Sequence, residues 1–231
     1  TPVVDTSKIK LSKKTMNLMA GKKITLKVTG TTSTVTWTSS DESVATVSDK
    51  GVVKGIKKGS TEVQASVDGI KLTCKVSVVA KMSKKDFDRF GITEARYVRG
   101  KRKVTVRKIN FIYLCQKKGY AGKGGFYYTF QFKNGTGKRR YTNRGIKTGS
   151  KLSTIKKKYG DQIVVKKCSK KDAFSNMKLV KKNKAKKYTE VSYSKYKIRF
   201  FLNSKSKVVG IIVACNMKNI KKKHLKADGY L

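Results

Sequence analysis

Metal or nucleophilic chemistry in this chain would have to be built from four cysteines and one histidine, and their spacing argues against both. Cys74, Cys115, Cys168 and Cys215 stand far apart with no CxxC pair, and His224, in KKKHLK, is the one further soft ligand. Zinc sites are normally announced by closely spaced pairs of such ligands. The sequence therefore predicts no metal site and no cofactor. A Cys215–His224 nucleophilic pair would need a third group to orient the imidazole, and none is suggested. The stretches GYAGKGG (119–125) and NGTGKRR (134–140) hold glycine and lysine, but fit neither GxxxxGK[ST] nor GxGxxG between a strand and a helix. They read as loops, no residue is assigned a catalytic role, and the chain reads as a non-enzyme.

Charge is the stronger chemical signal. The 231 residues carry 57 Lys and Arg against 13 Asp and Glu, a net +44. Residues 1–80 hold 13 of the basic and six of the acidic residues, leaving 44 and seven for 81–231, or +7 against +37. Such an excess attracts polyanions within a Debye length of about 8 Å at physiological salt. Only nine of the basic residues are Arg. Lysine is a hydrated point charge, whereas arginine reads guanine edges and phosphates in bidentate fashion. The bias suits diffuse attraction to a repeating anionic polymer, although abundant lysine also makes an ordinary solvated face.

The residues read as polyanion-binding are Lys138, Arg139, Arg140 and Arg144 beside a hairpin, followed by Lys156, Lys157, Lys158, Lys166, Lys167, Lys170 and Lys171. Tyr120, Tyr127 and Tyr141 are within reach as stacking groups for bases or sugars; aromatic core packing is the more economical role for them.

Two kinds of element must position these residues. From Ile9 to Val79 short alternating segments recur at roughly ten-residue intervals, the pattern of an all-β sandwich. Ile24, Leu26 and Val28 alternate with polar residues, as do Val35 and Trp37, then Val63, Ala65 and Val67. Leu72, Cys74, Val76 and Val78 share a face, which makes Cys74 a small buried hydrophobe. Among Cys115, Cys168 and Cys215, a bridge and free thiols both remain open.

AKMSKKDFDRFG (80–91) lacks alternation and reads as a linker or short helix, with the domain boundary near Lys81. Beyond it, strands are predicted over 103–116, over 126–133 with a hairpin at Asn134-Gly135 that returns through 138–142, and over 196–202 and 208–215. The run Val208–Cys215 is apolar on both faces, so it reads as a central strand. It is also the longest apolar run, well short of the ~20 residues of a membrane helix. A helix is predicted over 151–159, capped by Ser150, with Leu152, Ile155 and Tyr159 inward and Gly160 as its stop. A second helix is predicted over 172–180 with Phe174 and Met177 inward. The class is two domains: a sandwich over 1–80 and an α+β domain over 81–231, with an antiparallel sheet and one or two helices.

WTSSDESVATVSDKGVVKGIKKGSTEV (37–63) resembles the group 2 bacterial immunoglobulin-like domain through Trp37, Ser39, Ser40, Asp41, Val44, Ala45, Gly51, Val53, Gly55 and Gly59. The resemblance covers about 70 residues and implies an immunoglobulin-like sandwich used as a spacer or adhesive module on bacterial surface and secreted proteins, with no catalytic residues to carry over. Each residue also has a structural role: Trp37 as core between the sheets, the glycines at turns or close contacts. RGIKTGSKLSTIKKKYG (144–160) resembles a segment of uncharacterised secreted domains of Gram-positive bacteria and, more distantly, small α+β modules related to β-lactamase-inhibitor proteins, with Lys or Ser where acidic residues are frequent.

The expectation is a secreted or surface-attached bacterial protein whose basic domain holds a wall polymer or host glycan. The chain starts at Thr1, which fits a mature or trimmed form lacking its targeting segment. Alternatives are nucleic-acid binding through the same surface, or an enzyme or inhibitor with a pocket in the α+β domain.

Overall fold

The computed structural model describes residues 6–88, 91–92, 95–96, 105–106, 109–110, 127–132, 142–172, 174–194 and 196–215. They form two compact units, one of residues 1–81 with 156–162, the other of residues 82–155 with 163–231.

The first unit contains β1 (Lys10–Leu11), β2 (Thr15–Met19), β3 (Lys23–Thr25), β4 (Val28–Thr29), β5 (Thr36–Ser39), β6 (Ala45–Val47), β7 (Val52–Gly55), β8 (Gly59–Val67) and β9 (Ile70–Val79). Two sheets, ordered β2-β9-β8-β5 and β3-β7-β6, share one core, and β1 pairs with β4. All pairs are antiparallel except β2 with β9.

Alternation explains the packing. Val63, Ala65 and Val67 of β8 and Cys74, Val76 and Val78 of β9 are buried while intervening residues face out, as a side-chain period of two requires. Met16, Leu18, Leu26, Val44, Ala45 and Val53 complete the core. One expected strand is broken. Ile24 and Val28 belong to different sheets, because the chain changes partner at Leu26 and Lys27: Leu26 N–H donates to Gly51 O, and Lys27 O accepts from Ser12 N–H.

The second unit holds α1 (Lys85–Asp88), β10 (Gly91–Ile92), β11 (Ala95–Arg96), β12 (Thr105–Val106), β13 (Ile109–Asn110), β14 (Tyr127–Phe132), α2 (Leu152–Tyr159, whose last turn falls in the first unit), β15 (Val165–Lys167), α3 (Lys178–Lys182), β16 (Lys187–Tyr193), β17 (Tyr196–Leu202) and β18 (Val208–Cys215). An antiparallel sheet runs β14-β18-β17-β16-β15, so the apolar β18 is an interior strand, as its composition demands. Ile198, Phe200, Leu202, Ile211 and Val213 are buried on one face, Phe201 and Ile212 on the other.

The stretch 80–91 is more than a linker: α1 buries Phe87, whose ring centroid lies 5.4 Å from that of Tyr196. The strand expected over 103–116 contains the short β12 and β13, which pair with β11 and β10. The expected return strand over 138–142 lies almost wholly outside the described residues.

Helix α2 buries Ile155 and Tyr159 and stops at Gly160 (φ 93°), whose N–H donates to Lys156 O. Its expected cap behaves differently: Ser150 Oγ accepts from Lys147 N–H at 3.1 Å. The single helix expected over 172–180 is a 3-10 turn at Phe174–Asn176 followed by α3, with Phe174, Met177 and Val180 buried. Asp172 Oδ2 accepts from Ser175 N–H (2.8 Å) and Oγ–H (2.6 Å), which fixes the start of that turn.

Candidate functional site

Gly55 at the end of β7 and Gly59 at the start of β8 face core side chains, and this is where the signature residues of the first unit meet. A Cβ added at Gly59 would lie 2.8 Å from Val44 Cγ2, and one at Gly55 3.1 Å from Val78 Cγ1. At Gly51 (φ 71°) an added Cβ would meet Trp37 Cζ2 at 2.8 Å. Trp37 packs against the core but is only partly buried. Ser40 Oγ accepts from Glu62 N–H (3.0 Å) and Asp41 Oδ1 from Ser43 N–H (2.9 Å), closing the Ser-Ser-Asp turn. Gly51, Gly55, Gly59, Val44, Ala45 and Trp37 thus serve packing. Cys74 is fully buried, and burial pushes its thiol up to about 11.

Chemistry in the second unit centres on β16 and β17. Their register pairs Tyr193 with Tyr196, which places Glu190 opposite Arg199 and Tyr188 opposite Phe201. Arg199 is 5 % exposed. Its Nε and Nη2 donate to Glu190 Oε1 (3.1 and 3.0 Å), and its Nη1 donates to Asp172 Oδ2 (2.6 Å). The guanidinium carbon lies 4.1 Å from the centroid of the Tyr188 ring, within cation–π range. Burial opposes the charge on Arg199, but Glu190 and Asp172 outweigh it and hold its pKa above the ordinary guanidinium value. Burial also works against ionisation of Asp172, yet hydrogen bonds and charge from Arg199, with help from Ser175, hold its carboxyl below the usual range.

Cys168 is a free, partly exposed thiol raised by burial, with the Ser175 hydroxyl pulling the other way. A raised, partly shielded thiol is a poor nucleophile. Among the described residues no three His, Cys, Asp or Glu side chains gather as metal ligands, and no helix is long and apolar enough to cross a membrane.

The expected basic residues divide into three groups. Lys138, Arg139 and Arg140 lie outside the described residues, as do Tyr120, Tyr141, Cys115 and His224. Arg144 grips Asp86 through Nε (2.6 Å) and Nη2 (3.2 Å), both side chains largely buried, and Lys156 lies 3.9 Å from Asp161. Lys157, Lys158, Lys166, Lys167, Lys170 and Lys171 are exposed.

Sequence reasoning missed the partners that the sheet gives to β15. Lys167 stands directly opposite Lys187, and Lys151 bridges Lys207. The hairpin register of β16 and β17, from Tyr193 opposite Tyr196 to Lys187 opposite Leu202, aligns Glu190 with Arg199 and brings Lys187 to the end of the sheet. Residues 142–215 contain 21 basic and three acidic residues, a net of +18. The three are Asp172 and Glu190, both bound to Arg199, and Asp161, next to Lys156.

Residues 3–78 match the family model of the bacterial Ig-like domain (group 2). No curated protein matches the chain. Among solved structures, the chain is similar to a bacterial Ig-like domain containing GH10 xylanase from termite gut, with 21% identity over 28% of this chain and 18% of that one and a TM-score of 0.26. It is also similar to domains 4 and 5 of the S-layer protein SbsC, with 27% identity over 31% of this chain and 51% of that one and a TM-score of 0.27. The chain therefore spans at most about half the length of either.

Proposed function

We propose that this chain is a non-enzymatic, extracellular or cell-surface bacterial module in which the Ig-like domain spaces and presents a basic domain that holds an anionic polymer, either a wall polymer or a host glycan. The observation that carries this reading is the fate of the carboxylates. Of the three acidic side chains in residues 142–215, two are engaged by Arg199 and the third lies beside Lys156, and the segment as a whole carries a net +18. Charge of that kind is balanced by mobile counterions, and a polyanion that displaces them gains affinity through their release. The match of residues 3–78 to a bacterial Ig-like domain supports the surface setting.

Nucleic-acid readout has less support among the described side chains. Arg144 and Arg199, the two arginines of this segment, are both held by carboxylates. Neither is available for bidentate recognition of a base edge.

Titration of the full chain with poly(glycerol phosphate) tests the reading. Affinity should fall at least tenfold between about 50 and 200 mM salt, in line with several phosphates neutralised. Binding that ignores salt, or no binding at low salt, would sink it.

A further inference from the structure

Strand register brings six of the described lysines of the second unit to one end of its sheet. Lys166 and Lys167 close β15, and Lys187 opens β16 directly opposite Lys167. Leu202, the next residue in that row, pairs with Lys187 on one side and with Val208 on the other. Lys207 precedes Val208 and bridges Lys151, and Lys205 lies in the turn between β17 and β18. Lys151, Lys166, Lys167, Lys205 and Lys207 are exposed and Lys187 is partly so. These six lysines line one rim running across the ends of β15 to β18, where neighbouring strands lie roughly 4.8 Å apart.

This arrangement works against the fold's own stability. Like charges directly opposite on a sheet are destabilising, and this rim holds two such pairs, Lys167 with Lys187 and Lys151 with Lys207. Of the segment's three carboxylates, Asp172 and Glu190 are bound to Arg199 and Asp161 lies beside Lys156. The aromatic side chain of this corner is withdrawn as well: Tyr188 is 9 % exposed and its ring is covered by that same guanidinium. Among the described residues this rim offers point charges at short intervals with no free guanidinium and no open ring, a set that matches charge rather than stacking on or reading a base.

We infer that this lysine rim is the site at which the proposed polymer is held, and that the polymer is a base-free, linear phosphodiester with an anion on every short repeat, lying across the strand ends. The inference rests on the polyanion-binding reading and narrows it. Diffuse attraction by +37 would not depend on which lysines are removed, whereas a rim does.

The full chain with K167Q/K187Q/K207Q is compared with K178Q/K181Q/K182Q, a control that removes three exposed lysines of α3 in the same unit, away from the strand ends. Poly(glycerol phosphate) is the probe. The rim variant should flatten the dependence of log affinity on log salt by about two to three, near one per lost phosphate contact, and the control should leave it unchanged. Cooperative melts with midpoints no lower than that of the unmodified chain, and raised in the rim variant by relief of the like-charge pairs, establish that folding is intact. Equal losses in the two variants, or none in the rim variant, would overturn the rim while leaving polymer binding standing. Failure of the unmodified chain to bind would overturn both. Duplex DNA or a sparsely charged carboxylate glycan bound as tightly as the probe at matched salt would overturn the assignment of polymer class.

Discussion

Glu190 and Arg199 stand directly opposite each other across β16 and β17, and both Nε and Nη2 of the guanidinium donate to one carboxylate oxygen. Asp172 closes the other side of the same guanidinium at 2.6 Å. Three charges are thus withdrawn into the sheet and against Tyr188, within a segment whose remaining charges are almost all lysine.

Removing the cation should be costlier than removing the cluster. Arg199→Met leaves Asp172 and Glu190 partly buried without their partner, and should destabilise the second unit by about 3 kcal/mol. The triple change Arg199→Met, Asp172→Asn, Glu190→Gln should recover part of that loss. Thermal melts of the full chain followed by tyrosine near-ultraviolet dichroism give the comparison; a triple variant less stable than the single one would contradict it.

Acid should loosen the second unit through Asp172. Its carboxyl pKa is lower in the folded protein than the ordinary value of about 3.9, so its contribution is complete above that value and is lost as pH falls through the lowered one. Asp172→Asn should therefore cost stability at pH 6 and much less at pH 2. An equal difference at both pH values would show that the carboxylate's charge is not what holds Arg199.

Glycine should matter more at position 51 than at position 69. Both have positive φ, but a Cβ at Gly51 would meet Leu26 O at 2.6 Å and the Trp37 ring at 2.8 Å, whereas one at Gly69 meets nothing within 4 Å. Gly69→Ala carries only the backbone term, about 1 kcal/mol, and Gly51→Ala adds overpacking of about 1–3 kcal/mol. Trp37 is the chain's one tryptophan, so its fluorescence reports both unfolding transitions. Equal midpoints would remove the contact argument.

Thiol labelling should separate the two described cysteines. Cys74 is fully buried with its thiol pushed up to about 11, while Cys168 is partly exposed. Iodoacetamide at pH 8, read by peptide mass spectrometry, should modify Cys168 at least tenfold faster in the native chain, because only the thiolate reacts and Cys74 must first be uncovered. Comparable rates would mean that the first unit opens readily.

The division of the two sheets' work was legible where one face alternates and one face is apolar. β8 and β9 were readable because Val63, Ala65, Val67, Cys74, Val76 and Val78 obey a period of two, and β18 because VVGIIVAC admits no solvent face. The helix ending at Gly160 was legible for a similar local reason, the left-handed turn that glycine supplies. Leu26 misled because its burial is compatible with one long strand or with a change of sheet, and only Gly51 and Ser12, distant in sequence, decide between them. Phe174 and Met177 misled because a 3-10 turn followed by a short helix buries nearly the same spacing as one helix.

By itself the sequence determined the two-part organisation of charge, the alternating sandwich of residues 9–79 and the lack of spaced metal ligands, because composition and short-range period are properties of the chain alone. Only the tertiary structure decided which charges face solvent. Arg144 is read from the sequence as a cation of the basic surface, yet Asp86 holds it, and Arg199 is held in the same way by Asp172 and Glu190. Lys167, Lys187, Lys151 and Lys207 are distant in sequence and are brought to one end of the sheet by strand register. Register is a long-range property fixed by which faces are buried, and it sets beside one another lysines that the sequence keeps apart.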